Sequence, residues 1–214
     1  MTIRVRSKPS DPDEPQSSRP QGALHNPGSS SCHGLIDVLR LFLPAGRAMS
    51  HAVARLREAR LARGDKPFVA RGSRVPRCPD CRISFSLCLC ALRPQVPTRS
   101  GMCLIMSDIE PLKPSNTGWL IADVVSDTTA FGWSRTAADP ALLSLLADPQ
   151  WQPYLVFPGE LVAPERVVAE VQMAPGKRPL FVLLDATWPE ARKMFRKSAA
   201  RTTLALPLAP FNPR

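Results

Sequence analysis

The chain has 214 residues, 44% of them apolar and 21% charged, which suits a globular protein large enough to bury a sizeable core. Its longest apolar stretch, Leu35 to Leu43, is interrupted by Asp37 and Arg40 and falls short of the ~20 residues that span a bilayer, so a helical membrane protein is excluded and a cytoplasmic one expected. The net charge of +10 is uneven: residues 49–99 carry eleven Lys or Arg against Glu58, Asp65 and Asp80, an excess of eight, whereas from residue 100 onward eleven basic and eleven acidic residues cancel.

Residues 1–34, rich in Pro, Ser and Asp, read as disordered. Leu35 to Leu43 is a candidate short helix ended by Pro44 and Gly46. The composition changes abruptly at Met49, so residues 1–48 are expected to be a disordered or non-native extension, with the natural start at Met49. Ser50 can cap a helix through about Arg63, stopped by Gly64, with Val53, Leu56 and Leu61 apolar and Arg55, Arg57, Arg60 and Arg63 basic. Residues 49–77 thus form a basic helix and linker, 78–90 a cysteine knuckle, and 100–214 the main domain.

In that domain a strand is expected over Met102 to Met106, a helix over Thr117 to Val125 and a short strand over Ala130 to Trp133. Asp139 and Pro140 start a helix through Ala147. Tyr154 to Phe157 and Leu180 to Leu184 are unbroken apolar runs of the kind buried on both faces, and Thr203 to Leu206 is one more candidate strand. Trp188 to Lys197 reads as a helix that tolerates Pro189 in its first turn. Strands alternating with helices predict an α/β fold with a largely parallel sheet.

Cys78, Cys81, Cys88 and Cys90 form C-x2-C-x6-C-x-C, two close pairs that suit four thiolates around a structural zinc. A disulfide pair or buried free thiols are the alternatives, and cytosolic conditions disfavour the first. Cys103 falls in a strand and reads as a small core residue. Asp185 stands at the carboxyl end of a buried strand, just before a helix, where open α/β sheets place ligands. The plain alternative is a helix start, since Thr187 and Glu190 have capping-box spacing. The concentrated basic segment fits a nucleic-acid contact, or else a solvated surface without a partner.

The cysteine cluster, the segment Glu110 to Gly118 (EPLKPSNTG), the Phe157-Pro158 turn and Leu184 to Met194 (LDATWPEARKM) together resemble the DTW-domain family, from about Met49 to about Leu208. The resemblance implies a SPOUT-like α/β fold, tRNA as partner and S-adenosylmethionine as donor of a 3-amino-3-carboxypropyl group to a uridine ring nitrogen. No obligatory protein partner is implied. Asp185 would then be the general base or would orient the nucleobase; a turn-tying carboxylate is its plain alternative. Thr187 would hold the turn, Trp188 stack on a ring or pack in the core, and Pro158 and Gly159 approach the cofactor or form an ordinary turn. Arg192, Lys193, Arg196 and Lys197 would hold tRNA near the chemistry, Lys113 and Asn116 would contact tRNA or cofactor, and Arg55, Arg57, Arg60, Arg71, Arg74 and Arg77 would form an outer grip.

Two positions depart from the family pattern: Ala186 where Gly is usual and Trp119 where Arg is common. The chain also stops at Phe211-Asn212-Pro213-Arg214, where relatives continue, so a truncated carboxyl-terminal part is expected. Two other functions fit the same features: an inactive zinc-knuckle RNA-binding protein, and an RNA methyltransferase on this scaffold.

Overall fold

The structure is a computed structural model that describes residues 51–197, apart from 71, 73 and 95, together with residues 206–210. The apolar runs become five strands: β1 (Gly101–Met106), β2 (Thr128–Gly132), β3 (Trp151–Phe157), β4 (Arg178–Asp185) and β5 (Leu208–Pro210). They form one sheet in the order β2-β1-β4-β3-β5, and every pairing is parallel. The α/β expectation holds. The strands start one to three residues earlier than expected at β1, β2, β3 and β4, because paired neighbours extend the ladder into residues whose side chains alone give no strand signal.

Among the described residues four α-helices flank the sheet: α1 (Ala52–Ala62), α2 (Gly118–Val124), α3 (Pro140–Ala147) and α4 (Trp188–Lys197). α1 is capped by His51, whose Nδ1 accepts from the Ala54 N–H at 3.2 Å; Ser50, the expected cap, lies outside the described residues. α3 starts where expected, with Asp139 accepting from the Ala141 N–H at 2.8 Å and Pro140 in its first turn. Residues 1–48, the candidate helix at 35–43 and most of the candidate strand at 203–206 lie outside the described residues. The closing strand that is described, β5, lies just after the last of these, paired with β3.

Alternation along β1 divides the core. Cys103 and Ile105 point to one face with Leu155, Val182, Ala191 and Met194, under α3 and α4. Leu104 and Met106 point to the other with Val53, Ala54, Trp119 and Ala122, under α1 and α2. Residues such as Leu104, Leu155 and Leu180, at most 1% exposed, each contribute about 1.5–3 kcal/mol by leaving water. Cys103 is fully buried, as expected, and burial pushes its thiol up to about 12.

The topology sets where a ligand can sit. From β1 the chain passes through α2 to β2 on one side; from β4 it leads to β5 on the other. The two adjacent central strands therefore send their connections apart, on opposite faces, and open a crevice at their carboxyl ends. Asp185 is the last residue of β4, opposite Met106 at the end of β1.

Candidate active site and cysteine centre

Asp185 is held by groups from the loop after β1 and from the start of α2. Its Oδ2 accepts from Asn116 Nδ2 at 2.9 Å. Asn116 is itself fixed, because its Oδ1 accepts from the Trp119 N–H at 2.9 Å, which leaves the amide nitrogen for Asp185. The Gly118 N–H also donates to the Asp185 carboxylate. This approach requires glycine: a Cβ at Gly118 would lie 2.3 Å from Asp185 Oδ2.

Burial raises the Asp185 pKa above the usual carboxylate range, and the nearby charge of Glu110 adds to the rise; the Asn116 and Gly118 bonds and the Lys113 cation offset only part of it. Glu110 is buried and paired with Lys113. Ser107 lies between the two acids in the backbone network, donating from its N–H to Asp185 O at 3.0 Å and accepting from the Glu110 N–H at 3.0 Å. Its hydroxyl oxygen is shut off from water with no partner. A half-buried carboxylate of raised proton affinity, a buried unpartnered hydroxyl and a close backbone approach suit a polar substrate and a proton transfer.

The residues foreseen for the cofactor sit on the neighbouring strand ends. Pro158 and Gly159 follow β3, and Thr187 and Trp188 lead into α4. The Thr187 hydroxyl donates to Glu190 Oε2 at 2.7 Å, which ties the two positions of capping-box spacing to each other through their side chains. Trp188 is 51% exposed and stacks on Phe157 at 5.6 Å, which leaves ring surface open to solvent. Gly159 is not sterically obliged to be glycine, since a Cβ there meets only ordinary contacts at 3.6 Å or more.

Lys113 and Asn116 stand within the Asp185 network, bonded to Glu110 and to Asp185. Arg192, Lys193, Arg196 and Lys197 are exposed along α4, whose Ala191 and Met194 face the core. Arg60 is engaged, donating twice to Asp108 at 2.8 Å, while Arg71 is outside the described residues.

The cysteine segment folds into a knuckle. The Cys78 N–H donates to Ile83 O and the Arg82 N–H to Cys78 O, both at 2.9 Å, and Arg82 takes φ 62° to close the turn. The four sulfurs of Cys78, Cys81, Cys88 and Cys90 all lie within 4.8 Å of one another. Cys78–Cys90 is 3.6 Å and Cys81–Cys88 is 3.8 Å. A tetrahedral site with metal–sulfur bonds of about 2.3 Å has sulfur–sulfur edges of about 3.8 Å, so the cluster fits a four-thiolate metal. The knuckle is tied to the sheet through Trp119, whose Nε1–H donates to Asp80 O at 3.0 Å.

Comparison with known families bears on this arrangement directly. The model of the DTW domain matches residues 75–212, more than half of the chain. The chain belongs to the DTW-domain family. That family is associated with tRNA-modifying enzymes. No solved structure matches the chain. Within this DTW domain the matched region takes in the cysteine knuckle, Ser107, the Glu110 to Gly118 segment and Asp185 together. Ser107, Glu110 and Gly118 do not stand out individually in the sequence as site residues. Gly118 carries a signal, a glycine at a helix start beside an Asn, but Ser107 and Glu110 are ordinary loop residues until β1 and β4 are seen to be neighbours.

Proposed function

We propose that this DTW-domain protein is a cytoplasmic enzyme that transfers the 3-amino-3-carboxypropyl group of S-adenosylmethionine to the ring nitrogen of a uridine in tRNA, releasing methylthioadenosine. The observation that carries the reading is Asp185, a half-buried carboxylate of raised proton affinity held at the crevice between β1 and β4. The sulfonium donor supplies an activated carbon and a neutral thioether leaving group. One N–C bond forms as one C–S bond breaks, and the imide proton must go elsewhere. Asp185 accepts that proton and later returns it to water; its raised pKa makes it a better base than an exposed carboxylate.

Asn116 and Gly118 aim the carboxylate, so that the base is fixed before substrate arrives. The unpartnered Ser107 hydroxyl offers a bond to the donor or to a uracil carbonyl. Pro158, Gly159, Thr187 and Trp188 form the cofactor wall, with the open surface of the Trp188 ring available for a flat heterocycle. Arg192, Lys193, Arg196 and Lys197 hold tRNA phosphates beside it. Cys78, Cys81, Cys88 and Cys90 bind zinc, which orders the knuckle and has no open position for chemistry.

Purified protein incubated with unmodified tRNA and S-adenosylmethionine should yield aminocarboxypropyl-uridine by nucleoside mass spectrometry. Asp185→Asn should lower turnover by about 10²–10⁴-fold with tRNA affinity within roughly twofold of the wild type. Methylated uridine, no product, or full turnover by the Asp185→Asn protein would overturn the reading.

A further inference from the structure

A cleft of 630 Å³ lies between α1, the cysteine knuckle and α2, and its lining includes His51, Arg57, Arg77, Arg82, Arg93 and Trp119. Arg93 is matched, 2.9 Å from Asp123. Arg57, Arg77 and Arg82 are not: among the described residues none of them makes an ion pair. Glu58 and Asp80 also line the cleft without pairing to any of the three. Each of these arginines keeps a guanidinium nitrogen shut off from water with no hydrogen-bond partner, at Arg57 Nε, Arg77 Nε and Arg82 Nη1.

The cluster is held in place from two sides. Arg82 sits in the left-handed turn of the knuckle with its guanidinium 5.2 Å from the Trp119 ring centre, and Arg77 Nη1 donates to Arg82 O at 3.0 Å. Arg77 and Arg82 are both partly buried. Like charges drawn together and partly out of water are costly. Glu58 offsets part of that cost at Arg57 without forming an ion pair, and a bound anion would offset more.

We propose that Arg57, Arg77 and Arg82 form a binding site for a backbone phosphate of RNA, separate from the Asp185 crevice and built jointly by α1 and the cysteine knuckle. A lone carboxylate presents its two oxygens in one plane and fits one guanidinium fork. Phosphate oxygens leave the phosphorus in several directions, so forks arriving from α1 and from both sides of the knuckle can each find an acceptor. The two sites share α2: Gly118 touches Asp185, and the next residue, Trp119, lines the cleft. This inference rests on the tRNA reading above and extends it from the chemistry to the grip.

The test uses the full chain loaded with zinc and an unmodified tRNA transcript. In wild-type protein treated with phenylglyoxal, saturating tRNA should protect Arg57, Arg77 and Arg82 in peptide mass maps, while exposed Arg135, outside the cleft lining, continues to react. Arg57→Gln and Arg82→Gln should each weaken tRNA binding roughly tenfold and lower the slope of log affinity against log salt by about 1. Arg57→Gln lies outside the knuckle and keeps the test independent of knuckle folding. Binding of tRNA without protection of the three arginines, or with unchanged affinity and slope in Arg57→Gln, would overturn this site and leave the tRNA reading standing. Absence of any tRNA binding by the wild type would overturn both.

Discussion

Asp185 is costly to ionise where it stands, and that cost is part of its use. Its proton affinity is raised by burial and then by Glu110, so the native state holds the proton more tightly than the unfolded chain. The associated stabilisation is fully present only below the ordinary carboxylate range and is lost as pH rises through the raised value. In the proposed reaction activity has the opposite sense, because Asp185 as base must be free of its proton. Turnover should therefore fall in acid with a midpoint above the usual range for Asp. Glu110→Gln removes the repelling charge and frees Lys113, both of which lower the Asp185 pKa, so the acid limb of the pH–rate profile should move to lower pH. A limb that stays in place would show that another group titrates. Gly118→Ala tests positioning in the same site. Its Cβ would overlap Asp185 Oδ2, so the carboxylate or α2 must shift. A displacement of this order should reduce kcat on the order of 10²-fold while circular dichroism remains native.

The knuckle and the two helices beside it behave as one joint. α1 buries Val53 and Ala54 against β1, with Leu56 packed alongside. Val53 and Leu56 already mark an apolar side between the arginines of the sequence, but its partners Leu104 and Met106 come from a distant strand. Trp119 links this layer to the knuckle through Asp80 O and packs edge-on against His51 at 4.4 Å. Loss of metal should therefore be felt well beyond the cysteine segment itself. Stripping zinc from reduced protein with a strong chelator should lower Tm by on the order of 10 °C, and Cys81→Ser should bind less metal and melt earlier. Reduced protein that contains no zinc by elemental analysis would remove the basis for this expectation.

Across the molecule, the excess positive charge is not spread as a uniform grip. Arg60 is bound to Asp108, Arg93 to Asp123 and Lys113 to Glu110, so much of the charge is neutralised within the protein. The exposed cations near the Asp185 strand end lie on α4, with Lys193 6.0 Å from the Trp133 ring centre. Replacing Arg192, Lys193, Arg196 and Lys197 together by Ala should weaken tRNA binding and reduce its salt slope by about 1 for every phosphate that α4 no longer neutralises, without changing Tm by more than a few degrees. An unchanged slope in fluorescence anisotropy titrations would remove α4 from the RNA-binding surface.

Local pattern was enough for the strands and helices that carry strong signals. Leu180 to Leu184 and Tyr154 to Phe157 are too apolar to be anything but buried strand, Asp139-Pro140 can only start a helix, and the cysteine spacing already describes a chelating knuckle. These features depend on near neighbours in the chain, and the same is true of Asp185 at its strand end. The partners of Asp185 are another matter. Asn116 is 69 residues away, and it meets the carboxylate only because β1 and β4 pair in a register that sets Met106 against Asp185. The arginine cleft likewise joins α1 to the knuckle across a stretch with no periodicity of its own. Parallel pairing between distant strands leaves no local trace, since its hydrogen bonds are made by backbone that every residue shares.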